Sequence, residues 1–301
     1  MTQADTAQAE AGQRTAGALT QIGTEVSINL GSALAGLAIP IVGSTLVVAV
    51  RQLVMVIAVA PFYRPRRASF AWRRLYPAIL LGIDLAIMNL AFYQSVHLLG
   101  LGIAATIEFL GPLTLALVLS RRLLDFVCVA VAALGVLALT GIDGEINLWG
   151  VTLALIAAAA WAGYILLTRR VALTLPGLEG LTVASAVSFL IIAPLAVTTL
   201  DISQLSWPVI ALLVGIGVLS SALPYSLDTY ILRRITARLY AIITSCGPVV
   251  AAVFGWLVLN ETLSIIQISA ILLVCAAAAT AIATQRDVPK TALEEASPHI
   301  I

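Results

Sequence analysis

Long apolar runs alternate with short polar breaks along almost the whole chain. Each run holds the roughly 20 residues that an α-helix needs to cross the ~30 Å hydrocarbon core of a bilayer. The runs are continuous and lack the alternating pattern of membrane-spanning β-strands. The pattern therefore predicts an all-α integral membrane protein with ten transmembrane helices, at about 22–41, 45–62, 75–95, 99–119, 123–140, 148–168, 180–199, 208–231, 237–258 and 264–284.

Polar residues flank this apolar region at both ends. Residues 1–21 form a polar tail whose first 17 residues we expect to be disordered, and they lack the basic start and short apolar core of a signal peptide. Residues 285–301 form a second polar tail. The spans between the tails divide into two predicted five-helix repeats, 22–140 and 148–284.

The overall composition supports a membrane protein. The 301 residues are 61% hydrophobic and 10% charged, whereas a soluble domain carries roughly 25% charged residues. The mean hydropathy is +1.06. We therefore expect the lipid bilayer to surround most of the chain, and we expect no nucleic-acid partner. The sequence leaves the oligomeric state open.

The positions of the basic residues predict the orientation. The chain has sixteen Lys and Arg residues, and with ten spans all of them except Arg51 fall on one side of the membrane. The five loops on the other side contain no Lys or Arg. Because basic loops stay in the cytoplasm, both termini are predicted to be cytoplasmic, in a bacterial cytoplasmic membrane.

Two Gly-Pro pairs mark an internal repeat. Gly111-Pro112 lies midway along span four, and Gly247-Pro248 lies midway along span nine. Repeats of five spans each must insert with opposite topology, because five is an odd number. Inverted repeats are typical of secondary transporters, whose substrate site lies near the membrane midplane between the two halves.

Glu108 lies beside the first Gly-Pro pair, in an otherwise apolar span. It is about nine residues from the outer end of the span, which is a depth of ~14 Å. Pro112 has no N–H, so the carbonyl group of Glu108 loses its helical donor, and Pro248 does the same to Thr244. Freed backbone groups at this depth are tolerated where they line a cavity or are buried in protein. A simple packing kink at each proline is the alternative.

Arg51 is the second charge inside a predicted span, ~9 Å from the outer face. A charge at this depth faces a partner or a cavity because it is costly in lipid. Arg51 and Glu108 can form a purely structural ion pair, or they can serve transport. In the second case a buried carboxyl group at Glu108 can take up a proton, since burial favours its neutral form.

Span three contributes further candidates. Asn89 and Tyr93 are four residues apart and share a helix face, where they can contact substrate or hydrogen-bond to a neighbouring helix. Asp84 lies about 140° around the helix from Asn89, and we keep it as a second candidate proton carrier. Elsewhere, Trp161, Tyr164 and Tyr225 are predicted to line a cavity, although aromatic packing explains the first two equally well.

Motifs of enzymes and of primary pumps are absent from the sequence. There is no HExxH, no GxxxxGK[ST], no GxSxG and no plausible Cys/His spacing for a metal. We predict that the protein is not an enzyme and that it has no cofactor or metal. Without a domain that hydrolyses ATP, uphill transport must use an ion gradient, and a proton gradient is the expected one.

The sequence resembles the EamA-type branch of the drug/metabolite transporter superfamily, and within it the bacterial threonine/homoserine exporters. The resemblance covers nearly the whole membrane region. The stretches that carry it are SINLGSALAGLAIPIVG (27–43), MNLAFYQSV (88–96), GIAATIEFLGPLTLAL (102–117), SRRLLDFV (120–127), AWAGYIL (160–166), LSSALPYSLD (219–228) and NETLSIIQ (260–267).

The resemblance implies a central cavity lined by spans one to four and six to nine, with spans five and ten peripheral. It also implies export of small amino acids against proton entry. Arg51 then attracts the substrate carboxylate or pairs with Glu108, which binds the substrate ammonium or a proton. Export of drugs, nucleobases or other small metabolites on the same fold is the alternative.

Two positions depart from the pattern of these exporters. A lysine is expected in span one where this chain has Gly36, and an acidic residue is usual in span nine where this chain has Gly247. The loss of one positive and one negative group can keep the net charge of a cavity while changing its substrate.

Overall fold

The computed structural model of the protein describes residues 3–62, 71–119, 123–141, 147–175, 178–232 and 234–284. The regular secondary structure within these ranges is helical. No strand occurs within these ranges. The helices are α1 Gln3–Val59, α2 Trp72–Leu99, α3 Leu101–Glu108, α4 Leu110–Leu119, α5 Leu123–Gly141, α6 Leu148–Thr174, α7 Glu179–Thr199, α8 Trp207–Gly217, α9 Leu223–Leu232, α10 Ala237–Thr244, α11 Gly247–Leu259 and α12 Ile265–Thr284.

Within the described ranges, seven helical stretches are long and apolar enough to cross a membrane, and two shorter apolar helices accompany them. The first stretch, Gly12–Val59, has 48 residues, which would span ~72 Å as one straight helix. It is divided at Gly43, whose φ of 78° and ψ of 155° are not helical. A residue with a side chain is strained at such a φ, so glycine allows α1 to form two separate arms.

The N-terminal residues differ from their prediction. Residues 1–17 are predicted to be disordered, yet α1 already begins at Gln3. The prediction was wrong because it used polarity alone. This stretch is rich in Ala and Gln, which favour helix, and no proline occurs before Pro40.

Other helices extend past their predicted ends. Span three is predicted at 75–95, whereas α2 runs from Trp72 to Leu99 and includes Pro77. Span six is predicted at 148–168, whereas α6 continues to Thr174. Apolar composition marks the part of a helix that suits the bilayer, but the backbone stays helical until a residue such as Gly100 ends it.

Two helices are interrupted near their Gly-Pro pairs. α3 ends at Glu108 and α4 begins at Leu110, so the chain leaves the helix at Phe109, which we call the first break. α10 ends at Thr244 and α11 begins at Gly247, which leaves Ser245 and Cys246 as the second break. Each break directly follows the residue that lies four positions before a proline, whose carbonyl group the proline deprives of its donor.

The helices pack through small residues. α5 and α12 form one pair, in which Gly135 lies against Val274 and the Ala270 carbonyl group. α7 and α8 pack on α1 through a cluster that includes the small residues Ala35, Ala38 and Ala196. Close contact through small residues is typical of helices in membranes.

Gly111 shows how closely two helices approach. A Cβ atom at this position would overlap the backbone carbonyl oxygen of Ala158 on α6. We expect Gly111→Ala to force α4 and α6 apart and to reduce the free energy of unfolding by about 1–3 kcal/mol. The matched control is Gly215→Ala in α8, where a Cβ atom meets nothing within 4 Å.

Gly215→Ala is expected to stabilise the protein by about 0.5–1 kcal/mol, because alanine favours helix over glycine. Thermal unfolding of both variants in detergent, followed by circular dichroism, measures the difference. Equal melting temperatures for the two variants would contradict the close approach of α4 and α6.

Candidate functional site

A polar cavity of about 220 Å³ lies between the two helix breaks. Its lining residues come from both arms of α1, from α2, α3, α6, α9, α10 and α11, from the first break, and from the π-helical turn Val218–Ala222 that joins α8 to α9. Three of them are charged, namely Glu25, Arg51 and Glu108. Within the described ranges, no group of three His, Cys, Asp or Glu side chains lies close enough to hold a metal ion.

Arg51 is held in this cavity by four hydrogen bonds to neutral groups. Its Nε donates to Ser221 Oγ at 2.7 Å, and its Nη1 donates to Asn89 Oδ1 at 2.6 Å and to Tyr93 Oη at 3.0 Å. Its Nη2 donates to the Ser220 carbonyl oxygen at 3.0 Å. A guanidinium group has five N–H donors, so one Nη2 hydrogen is left for a ligand.

Two predicted site residues of α2 orient this arginine. Asn89 is buried, and its Nδ2 donates to the Leu85 carbonyl oxygen at 2.7 Å, which turns its Oδ1 toward Arg51. Tyr93 is completely buried behind the cavity wall, with its ring centroid 5.3 Å from the Arg51 guanidinium carbon. Tyr93 is therefore a positioning residue, whereas Asn89 also lines the cavity.

Glu108 lines the same cavity and differs from Arg51 in its surroundings. Within the part of the chain that the structure describes, it makes no hydrogen bond and no ion pair. The ion pair with Arg51, one of the two alternatives that the sequence left open, is not formed, because neutral acceptors already surround the guanidinium group. The cavity thus presents one free cationic donor and one free carboxylate.

Aromatic side chains form another part of the wall. Trp161, Tyr164 and Tyr225 all line the cavity. The Trp161 ring packs edge-on against Phe109 at the first break, with ring centroids 5.6 Å apart and planes inclined by 75°. A bound molecule therefore meets polar groups from α1 and α2 and flat apolar faces from α6 and α9.

Some of the residues predicted for the site lie outside the cavity lining. Asp84 is not among the lining residues, and a Cβ atom at Gly163 would lie 2.9 Å from its Oδ1. Its buried Oδ2 has no hydrogen-bond partner among the described residues. Gly111 and Pro112 also lie outside the lining, whereas Gly247 and Pro248 belong to it. Asp84 lies apart from the cavity lining because it is rotated about α2 away from Asn89, and its role as a proton carrier stays a prediction.

The set of lining helices also differs in part from the expectation. α5 and α12 contribute no lining residue in the described ranges, which agrees with peripheral spans five and ten. α7 contributes none there either, although span seven was expected to line the cavity. Instead α7 packs behind α2, where Gly82 lies against Val187 and the Ala184 carbonyl oxygen.

The sequence predictions missed the polar stripe of α1. Gln21, Glu25, Asn29 and Ser32 are three or four residues apart, and the last three line the cavity. This spacing puts them on one helix face, so the signal was present in the sequence. It was overlooked because span one was predicted to start at residue 22, which put Glu25 near the membrane surface.

Another carboxylate, Glu261, follows α11 and lies outside the cavity. Its Oε1 accepts from the Leu101 N–H at 2.7 Å and its Oε2 accepts from the Gly102 N–H at 3.5 Å, which caps the first turn of α3. Burial raises the pKa of Glu261, and the two N–H groups oppose this. Because the folded protein then holds the proton more tightly than the unfolded chain, the contribution of this group to stability falls as pH rises above the ordinary glutamate range.

We expect Glu261→Gln to remove this fall while keeping an acceptor for α3. Glu261→Ala also removes the cap and is expected to reduce the free energy of unfolding by about 1–3 kcal/mol. Melting temperatures of both variants across the weakly acidic to neutral range measure the two effects. A pH dependence in Glu261→Gln that matches the parent protein would contradict this assignment.

Comparison with known proteins places the chain in a family. The EamA-like transporter family model matches residues 148–283. The chain is 36% identical over 267 residues to the threonine/homoserine exporter RhtA of Salmonella typhimurium, which covers 88% of this chain and 90% of the relative. The chain belongs to the EamA-like transporter family.

A second relative and a solved structure support the assignment of this EamA-like transporter to its family. The RhtA exporter of Escherichia coli strain K12 is 37% identical over 81% of this chain and 84% of its own length. One solved crystal structure is 19% identical, covers 89% of this chain and 95% of that chain, and superposes with a TM-score of 0.58, which shows a shared fold. The relatives are transporters, so the prediction of a membrane transporter that is not an enzyme is confirmed.

Proposed function

We propose that this EamA-like transporter exports small zwitterionic amino acids such as threonine and homoserine in exchange for protons. The main support for this proposal is that two groups of one cavity have no partner among the described residues. They are one Nη2 hydrogen of Arg51 and the carboxylate of Glu108. An amino acid carries a carboxylate and an ammonium, which complement these two groups. The names of the RhtA relatives support this cargo.

The size of the cavity favours a small cargo. Its volume of about 220 Å³ is below the ~300–1,000 Å³ of sites that bind drug-sized ligands. Side chains of the cargo would meet the aromatic wall of Trp161, Tyr164 and Tyr225. A hydroxyl-bearing side chain such as that of threonine also finds acceptors nearby in Asn29 and Ser32.

Competition at Glu108 gives the simplest route to exchange. A proton neutralises this carboxyl group in the empty cavity, whereas the substrate ammonium requires its ionised form. Binding of either cation therefore releases the other. No further coupling site is needed for the exchange itself, and alternating access carries each cation across the membrane.

The proposed architecture has ten spans in two inverted five-helix halves. Division of α1 at Gly43, together with α3–α4, α8–α9 and α10–α11 each taken as one interrupted span, supports ten crossings. The similar breaks before Pro112 and Pro248 support two related halves. The one-sided distribution of Lys and Arg supports cytoplasmic termini.

Counterflow in proteoliposomes tests the cargo. Vesicles preloaded with unlabelled threonine should take up radiolabelled threonine or homoserine, and a pH gradient should alter net movement in the direction of exchange. Unlabelled drugs, nucleobases and other amino acids are added as competitors. Folded protein that shows no counterflow of either amino acid, but exchange of another competitor, would refute the amino-acid cargo and favour the alternative.

A further inference from the structure

Ser32, in the polar stripe of α1, differs from other buried hydroxyl residues of the helices. Ser220 Oγ donates to the Ile216 carbonyl oxygen at 2.6 Å. Thr106 Oγ1 donates to the Gly102 carbonyl oxygen at 2.7 Å. Bonds of this kind to the preceding turn are a common way for a helix to satisfy a hydroxyl hydrogen. Among the described residues Ser32 makes no such bond, although it is only 5% exposed and lines the polar cavity.

The hydrogen bond that Ser32 does make is with Tyr93, whose hydroxyl oxygen is 3.4 Å from Ser32 Oγ. Tyr93 Oη already accepts from Arg51 Nη1 at 3.0 Å, because a guanidinium group can only donate. The phenol is completely buried, so its own hydrogen needs an acceptor. Within the described ranges Ser32 Oγ is the acceptor that it can reach. Tyr93 therefore donates and Ser32 accepts.

This direction leaves the hydrogen of the Ser32 hydroxyl group for a ligand. A serine hydroxyl has one hydrogen and two lone pairs, and Tyr93 occupies only a lone pair. No residue in the described part of the chain accepts the Ser32 hydrogen. Since Ser32 belongs to the cavity lining, this donor is available to a molecule in the cavity.

Asn29 supplies a complementary acceptor in the same stripe. Its Nδ2 donates to the Glu25 carbonyl oxygen at 2.9 Å, and its Oδ1 accepts no hydrogen bond from the described residues. Oδ1 is open to the cavity, because none of the buried polar atoms that lack a partner in the described ranges belongs to this residue. Asn29 and Ser32 are three residues apart, so they share one face of α1.

An alcohol group matches this pair because it both donates and accepts. Its hydrogen can go to Asn29 Oδ1 while its oxygen receives the hydrogen of Ser32. An apolar group in the same place leaves both unpaired, and unpaired buried polar groups are costly. Sites that hydrogen-bond a substrate hydroxyl therefore reject the analogue that lacks it more strongly than an apolar pocket can. The pair is also close to the proposed carboxylate site, since Ser32 is two hydrogen bonds from Arg51.

We propose that Ser32 and Asn29 form a hydroxyl-recognition subsite, in which Ser32 donates to the side-chain alcohol of the cargo and Asn29 accepts from it. The subsite selects hydroxy amino acids over amino acids of similar size that lack the hydroxyl group. Tyr93 positions Ser32 as well as Arg51, since it fixes the direction in which the Ser32 hydrogen is given. The inference deepens the proposed function and rests on it for the carboxylate and ammonium of the cargo.

The test compares threonine and homoserine with 2-aminobutyrate, which either amino acid becomes when hydrogen replaces its hydroxyl group. Half-saturation concentrations are measured by counterflow in proteoliposomes. The parent protein should prefer the two hydroxy amino acids to 2-aminobutyrate by roughly tenfold to a hundredfold. In Ser32→Ala this preference should fall about tenfold, because half-saturation rises for the hydroxy amino acids and stays equal or falls for 2-aminobutyrate. A general loss of folding would affect all three cargoes alike.

Ser95→Ala is the matched control for the serine substitution. Ser95 is completely buried in α2 and outside the cavity lining, and its Oγ donates to the Phe92 carbonyl oxygen at 2.7 Å. This variant should keep the preference of the parent protein. Asn29→Leu removes the acceptor at similar size and should lower the preference as Ser32→Ala does. A preference equal to that of the parent protein in either Ser32→Ala or Asn29→Leu would overturn the proposal.

Failure of the proposed function gives a different result, which the parent protein shows without any substitution. If it exchanges threonine, homoserine and 2-aminobutyrate with equal half-saturation, the export of small amino acids stands and the hydroxyl-recognition subsite is refuted. If it exchanges none of the three, the proposed function is refuted and the subsite with it.

Discussion

Glu108→Gln is expected to abolish proton-coupled exchange and to lower threonine counterflow roughly a hundredfold. The amide has the shape of the carboxyl group, but it can neither ionise nor take up a proton. Removing the charge of Glu108 from its proposed buried ion pair with the substrate ammonium costs about 3 kcal/mol, which corresponds to a factor of roughly 100 in affinity. Initial rates of radiolabelled threonine uptake, with and without a pH gradient, measure both effects.

Asp84→Asn is the matched control for this prediction. Asp84 is the other carboxylate that the sequence predicts as a proton carrier, and it lies within a span but outside the cavity lining. We expect Asp84→Asn to keep both exchange and its response to the gradient. If Asp84→Asn loses coupling and Glu108→Gln retains it, the assignment of the proton site to Glu108 is wrong.

Arg51→Lys is expected to have the next largest effect, although it keeps the positive charge. Lysine has a single ammonium group, so it cannot donate at once to Ser221, Asn89, Tyr93 and the Ser220 carbonyl group as the planar guanidinium does. The ammonium then has no fixed orientation toward a substrate carboxylate. We expect the half-saturation concentration for threonine to rise about tenfold to a hundredfold.

Arg74→Lys controls for the substitution itself, because Arg74 is exposed in the first turn of α2. It should leave counterflow unchanged. A half-saturation concentration in Arg51→Lys that equals that of Arg74→Lys would show that charge alone suffices, and would contradict the oriented guanidinium. Melting temperatures of both variants separate a loss of binding from a loss of folding.

The positions of the helix breaks were predictable from the sequence. A proline removes one defined hydrogen bond, four residues before it, whatever the surroundings are. The breaks therefore directly follow Glu108 and Thr244, as Pro112 and Pro248 require. The membrane character of the chain was predictable for a similar reason, since long apolar runs with few charges suit only the bilayer.

The helix ends at the N-terminus and around α2 were less predictable. Hydrophobicity indicates which residues suit the lipid, but helix propensity and capping decide where the backbone stops being helical. α1 therefore extends to Gln3, well beyond its apolar part. For the same reason Glu25 was not predicted as a site residue. It lies near the predicted start of span one, whereas the structure places it in the cavity lining.

The sequence by itself determined the all-helical membrane fold, the two breaks and the presence of Arg51 and Glu108 in apolar spans. These depend on the covalent structure of single segments. Only the tertiary structure decided which side chains meet. Successive residues of a helix point about 100° apart, so the rotation of each helix, set by packing against its neighbours, brings Asn89 to Arg51 and Glu25 to Gly247 but turns Asp84 toward Gly163.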